Sequence, residues 1–141
     1  MVVETERVNF FDTDAMGVVH HANYIRWFER GRVEYMRKAG VELNDIMEAG
    51  YVFPITKVEC NYKNSAKFDD VVEIRTTMTA VSRAKMDFSY NVVRPSDEVL
   101  LAYGSTRIVF TKMSTGKIAR LPEVFFKKLD DFLHQEEKVN D

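Results

Sequence analysis

The apolar pattern changes period partway along the chain, and that change limits the folds open to it. From Ala22 to about Ala39, Tyr24, Trp27, Phe28, Gly31, Tyr35 and Met36 recur at helical spacing. Arg26, Arg30, Arg37 and Lys38 crowd the other side, and Gly40 is placed to cap the C-terminus. Beyond residue 54 the period drops to two. Stretches 54–66, 70–81, 84–94 and 99–112 read as strands, most cleanly in KMDFSYNV, where Met86, Phe88, Tyr90 and Val92 share one face and Asp87, Ser89 and Asn91 the other. The links between strands, Lys67 to Asp69, Val81 to Arg83 and Pro95 to Asp97, are short. Links of that length join antiparallel neighbours, because a parallel crossover takes about a dozen residues.

Around this frame lie a strand over residues 2–10 ending near Phe10 or Phe11, a short helix from Leu43 to Ala49, and a turn at Ser114-Thr115-Gly116. A last helix is expected from about Pro122 to His134, burying Phe125, Phe126, Leu129 and Phe132 or Leu133, before a tail, EEKVND, that should fray. One long helix followed by antiparallel strands predicts an α+β fold with the sheet wrapped around the helix, as a single domain over 1–141. Gly31 costs that helix roughly 1 kcal/mol in propensity relative to alanine, which predicts close approach to the sheet or to another subunit. A single helix cannot cover both the face and the edges of such a sheet, so a homo-oligomer built by edge pairing is expected.

The formal net charge is −2 and there is no basic tract, which gives no reason to expect a nucleic-acid or anionic-membrane partner. No apolar run approaches the ~18 residues of a membrane span, and charges fall too early in MVVETERVNF for a secretion signal. Cys60 is the only cysteine; with no intrachain disulfide possible, a cytoplasmic location is expected, and in VECNY it reads as a packed strand residue.

The polar groups most suited to chemistry stand directly before the long helix, in DTDAMGVVHHANY. Asp12 and Asp14 can cap the helix and interact with its dipole. Alternatively, Asp14 serves as nucleophile or general base, with backbone amides around Val19 to His21 holding the oxygen of an acyl carbonyl as charge develops on it. Gly17 supplies a turn or lets a ligand approach the backbone. Adjacent His20 and His21 cannot both point inward, and with His134 as the only other histidine no metal site is expected, since closed zinc sites take about four ligands. Asn23 reads as a cap or loop-fixing residue, Tyr24 as a core residue with its hydroxyl near the loop, and Glu29 as an acid about two turns below His21, paired with nearby arginines. Arg83 and Lys85, with Lys63, Lys67 and Arg107, are either solvated surface or partners for a substrate phosphate.

The run DTDAMGVVHHANYIRWFERGRVEYMR resembles the opening of the 4-hydroxybenzoyl-CoA thioesterase family of hotdog-fold acyl-CoA thioesterases, and most of all its Tol-Pal-cluster-associated bacterial branch. FPITKVECNYKNSAKFDDVVEIRTTM resembles the family's second half. The resemblance runs from about Val8 to Pro122 and rests on D-x-D-x-x-G-(V/I)-V-x-(H/Y)-x-x-Y. It implies a hotdog fold, dimers with a continuous sheet that often double into tetramers, and active sites at the dimer interface. By the same resemblance Asp14 matches the catalytic carboxylate, His21 the residue whose amide contacts the thioester oxygen, and Gly17 the turn glycine. Relatives in this branch carry a tyrosine just upstream; Phe10 stands there, without a hydroxyl, and His20 stands where an aromatic residue is frequent. The substrate-binding set expected is Phe10, Val19, Tyr24, Glu29, Arg83 and Lys85. The implied reaction is hydrolysis of a short-chain or aromatic acyl-CoA, with CoA as part of the substrate and no cofactor. A hotdog dehydratase and a non-catalytic acyl-thioester-binding or scaffold protein are the alternatives.

Overall fold

The computed structural model describes residues 1–140. In chain order the elements are β1 (Val2–Arg7), a 3-10 turn (Phe10–Asp12), α1 (His21–Lys38), α2 (Leu43–Glu48), β2 (Tyr51–Val52), β3 (Ile55–Tyr62), β4 (Val71–Val81), β5 (Lys85–Arg94), β6 (Val99–Val109), β7 (Thr111–Lys112) and α3 (Glu123–Asn140). Five strands form an antiparallel sheet in the order β1-β4-β5-β6-β3, and β2 pairs with β7 in a separate ribbon. The sheet curves around α1. This is the α+β hotdog arrangement.

The helical and strand periods meet at the interface between α1 and the sheet. Tyr24, Trp27, Phe28, Gly31, Tyr35 and Met36 are all buried along one stripe of α1, and Met86, Phe88, Tyr90 and Val92 of β5 are buried opposite them. Each fully buried large side chain contributes about 1.5–3 kcal/mol through the hydrophobic effect. Phe28 stacks on Tyr90 with ring centroids 4.3 Å apart and planes 7° from parallel. Gly31 meets β4 so closely that a Cβ there would fall on Thr76 Oγ1 and lie 2.9 Å from Ile74 Cγ2. The close approach predicted from Gly31 is therefore made to the protein's own sheet.

Several boundaries differ from the sequence expectation. β1 stops at Arg7 because the Asn9 N–H donates to Asp12 Oδ2 (2.8 Å) and the Asp12 N–H to the Asn9 carbonyl (3.0 Å), turning the chain before Phe10. β3 ends at Tyr62, so its link to β4 covers residues 63–70 and crosses the end of the sheet: β3 pairs with β6, not with β4. The rule that short links join neighbours holds for β4-β5 and β5-β6 only. The two-residue strands β2 and β7 are too short to carry a period. α3 continues through Glu136 and Glu137 where fraying was expected; Asp141 lies outside the described residues. On α3, Leu129 is fully buried, and Phe125, Phe126, Phe132 and Leu133 are partly buried against the core.

Tyr35 carries the packing of α3. It is fully buried, its ring meets Phe88 and Phe132 edge-on at 5.5 and 5.1 Å, and its hydroxyl donates to Glu136. Burial pushes its phenol up to about 12.

Two outcomes are expected. Gly31→Ala should destabilise by at least about 2 kcal/mol despite the better helix propensity of alanine, and adding Thr76→Ala should recover at least about 1 kcal/mol, read from urea unfolding. The folded-state pKa of Tyr35 exceeds the unfolded value of about 10, so the neutral phenol stabilises below pH ~10 and that contribution, about 2 kcal/mol, is lost as pH rises to about 12. Tyr35→Phe should lack that alkaline loss when urea midpoints are compared across the same range.

Candidate active site at the start of helix α1

Residues 12–20 form a tight loop whose shape follows from its own hydrogen bonds. The Gly17 N–H donates to the Asp14 carbonyl (2.9 Å) and the Asp14 N–H to the Val18 carbonyl (2.9 Å), closing a turn in which Gly17 has φ +78°. That left-handed backbone is where a side chain would be strained. Asp14 Oδ1 accepts the Met16 N–H at 2.8 Å, and Oδ2 has no partner among the described residues. The loop is stitched to the β3-β4 link by the Val19 N–H donating to the Ala66 carbonyl (2.8 Å) and by a bridge between Val18 and Lys67.

Asp12 holds this loop to the helix. It is 8% exposed, and its carbonyl accepts the His20 N–H (2.8 Å) and Asn23 Nδ2 (2.7 Å). Asn23 therefore fixes the loop, and Asp12 does not cap α1. The N-cap is His20, whose Nδ1 accepts the Ala22 N–H at 3.2 Å.

These bonds leave one of the three candidate oxyanion amides free. Val19 and His20 spend their N–H groups on Ala66 and Asp12; the His21 N–H, first in α1, has no acceptor among the described residues. An 18-residue helix whose first turn contains no acidic side chain presents its positive end there. The amide stands beside a cleft of about 160 Å³ lined by Val18, Val19, His21, Tyr24, Tyr62 and the segment 63–65. Tyr62 reaches across, its hydroxyl donating to the His21 carbonyl at 3.1 Å. Its ring lies 4.6 Å from that of His21 and 5.4 Å from that of Tyr24. Local desolvation and the neighbouring Cys60 thiol push the Tyr62 phenol up to about 12, although the residue is 42% exposed. Burial likewise raises Cys60, which makes it a poor nucleophile.

Of the expected substrate-binding residues, Val19 and Tyr24 line the cleft with His21. Phe10 does not: it is 75% exposed and meets Phe68 edge-on at 5.8 Å. Glu29 lines a different, smaller cavity with Arg32, Met36 and Phe53. Among the described residues it makes no ion pair, and Arg30 pairs instead with Glu4 and Glu6 of β1. Arg83 donates its Nε–H to the Leu121 carbonyl (2.9 Å), which ties the β4-β5 turn to the segment before α3. Lys85 begins β5 at the far end of the sheet; the register aligns Val92, through Ala102, with Tyr62. Within one protomer Phe10, Glu29, Arg83 and Lys85 thus lie away from this cleft. Asp14 and Gly17 shape the loop beside it without lining it. Tyr62, Asn64 and Ser65 were missed, because a polar stretch at a strand end carries no distinguishing signal.

Comparison with known proteins gives the family and the fold. Residues 8–129 match the family model described as the thioesterase-like superfamily. The acyl-CoA thioester hydrolase YbgC of Escherichia coli is 33% identical over 94 residues, covering 67% of this chain and 70% of that protein. The DHNA-CoA thioesterase of Staphylococcus aureus superposes with a TM-score of 0.87 at 28% identity, covering 98% of this chain and 91% of the other. Protein TT1821 of Thermus thermophilus superposes with a TM-score of 0.85 at 33% identity, covering 92% and 98%. By that match over residues 8–129 and that identity, the chain belongs to the thioesterase-like superfamily, as a relative of the YbgC acyl-CoA thioester hydrolases.

Proposed function

We propose that the protein hydrolyses acyl-CoA thioesters, short-chain or aromatic in the acyl part, to the free acid and CoA. The observation that carries this reading is the unpaired His21 N–H at the positive end of α1, opening on a cleft. As the thioester carbonyl becomes tetrahedral its oxygen gains negative charge, and a donor already fixed in place stabilises that charge without reorganising. Asp14 supplies the attack on the carbonyl carbon. As general base it takes a proton from water, whose oxygen forms the new C–O bond; as nucleophile it forms a mixed anhydride that water then cleaves. In either version the C–S bond breaks and CoA leaves as a thiolate, which needs little help from an acid.

The active unit in this reading is a homodimer, doubled where a tetramer forms. β3 supports it: this edge strand has one unpaired side, and Ile55, Val58 and Tyr62 are 42%, 43% and 42% exposed. A second copy adding its own β3 would satisfy the edge and cover those side chains. It would also bring a further wall to a cleft that Asp14 of the same chain does not line. Among the described residues no helix is long and apolar enough to cross a membrane; the ground on which we place the enzyme in the cytoplasm is its single cysteine, Cys60.

Two substitutions test the chemistry. Asp14→Asn keeps an acceptor for the Met16 N–H, so the turn should survive while kcat falls by about a hundredfold or more with little change in KM. Near-normal turnover by a folded Asp14→Asn removes Asp14 from the mechanism. His21→Pro deletes the N–H at the first helical position, where proline fits, after a residue already extended at φ −65°, ψ 141°. Its kcat should fall about a hundredfold or more below that of His21→Ala, which keeps the amide. Release of thiol from a panel of acyl-CoAs is the readout for both.

A further inference from the structure

We propose that Tyr62 is a positioning residue that sets the width of the cleft and the aim of the His21 N–H. The inference rests on the hydrolytic reading above for its kinetic consequence and on geometry alone for its structural one. The Tyr62 hydroxyl makes the only described hydrogen bond between the first turn of α1 and the five-stranded sheet. It grips the His21 carbonyl, while the other side of the same peptide, the Ala22 N–H, is held by His20 Nδ1. A peptide plane held at both ends cannot rotate without breaking one of those bonds, and the preceding plane, which carries the His21 N–H, hinges on the same Cα.

Tyr62 also leads directly into the opposite wall. Lys63, Asn64 and Ser65 follow it in the chain and line the cleft. That wall is fixed to β6 by the Lys63 N–H donating to the Leu101 carbonyl (2.8 Å) and by Asn64 Nδ2 donating to the Leu100 carbonyl (2.8 Å). One side chain therefore registers the helix start against the sheet-borne wall. Its ring packs against two residues of the helix start, tilted 38° from His21 and edge-on to Tyr24, so the hydroxyl is aimed by aromatic packing. With its pKa pushed up to about 12 by local desolvation, the phenol is a neutral donor at neutral pH.

The test is Tyr62→Phe, which keeps the ring and removes the hydroxyl, beside Tyr62→Leu, which removes both. With wild type turning over an acyl-CoA, Tyr62→Phe should lower kcat by about tenfold, the weight of one hydrogen bond, with KM within about twofold. In Tyr62→Phe the His21 amide resonance in a ¹H–¹⁵N spectrum should shift, with amides of β4 and β5 unmoved. An unchanged kcat, a fall expressed in KM alone, or an unmoved His21 amide overturns the proposal. If wild type releases no thiol from any acyl-CoA tested, the hydrolytic reading fails, and the amide measurement still decides whether Tyr62 positions the helix start.

Discussion

The approach of α1 to β4 at Gly31 is the contact on which the other dimensions of the molecule depend. Helix backbone and Thr76 meet with no room for a Cβ between them, so the helix sits lower on the sheet than large side chains would allow. The strands beside β4 and β5 must then curl up around it. Gly104 on β6 makes a similar concession, since a Cβ there would lie 2.8 Å from Phe28 Cε2 and strike the Glu59 carbonyl. Curling brings the end of β3 within reach of the helix start, where Tyr62 meets His21, while the outer edge of β3 stays beyond the helix.

Backbone accounting at residues 12–23 explains why the polar loop looks as it does. Asp12 is spent on structure through both its carboxylate and its carbonyl, Asn23 answers it, and His20 caps. What remains is one amide at the positive end of a helix and one carboxylate with an uncommitted oxygen. Two aspartates a single residue apart thus have opposite fates: one is buried beneath the loop, the other stands on its turn.

Those fates were only partly legible in the sequence. α1 and the four long strands could be read because their apolar periods run over many residues. The 3-10 turn could not, since Phe10 and Phe11 prolong an apolar run while the structure leaves both exposed. His21, Val19 and Tyr24 could be found because they are contiguous with the acidic motif. The facing wall could not, because Tyr62 meets His21 across 41 positions and nothing in NYKNSA distinguishes a cleft from an ordinary strand end. Arg83 had a role that could not be read either: its Nε–H donates to the Leu121 carbonyl, 38 positions away.

The pairing of Val2 with Thr76 has a further consequence, for how the chain acquires its shape. The stripe of α1 that includes Trp27, Phe28 and Tyr35 is complete long before any of β4, β5 or β6 exists to cover it. The first strand likewise waits for the fourth. Closure of the core is therefore a late, non-local event, paid for by the loop entropy of some seventy intervening residues before any pairing energy returns. During synthesis the growing chain must hold an amphipathic helix with its apolar side open, a state in which a chaperone or a second nascent copy has more to bind than it will find on the finished protein.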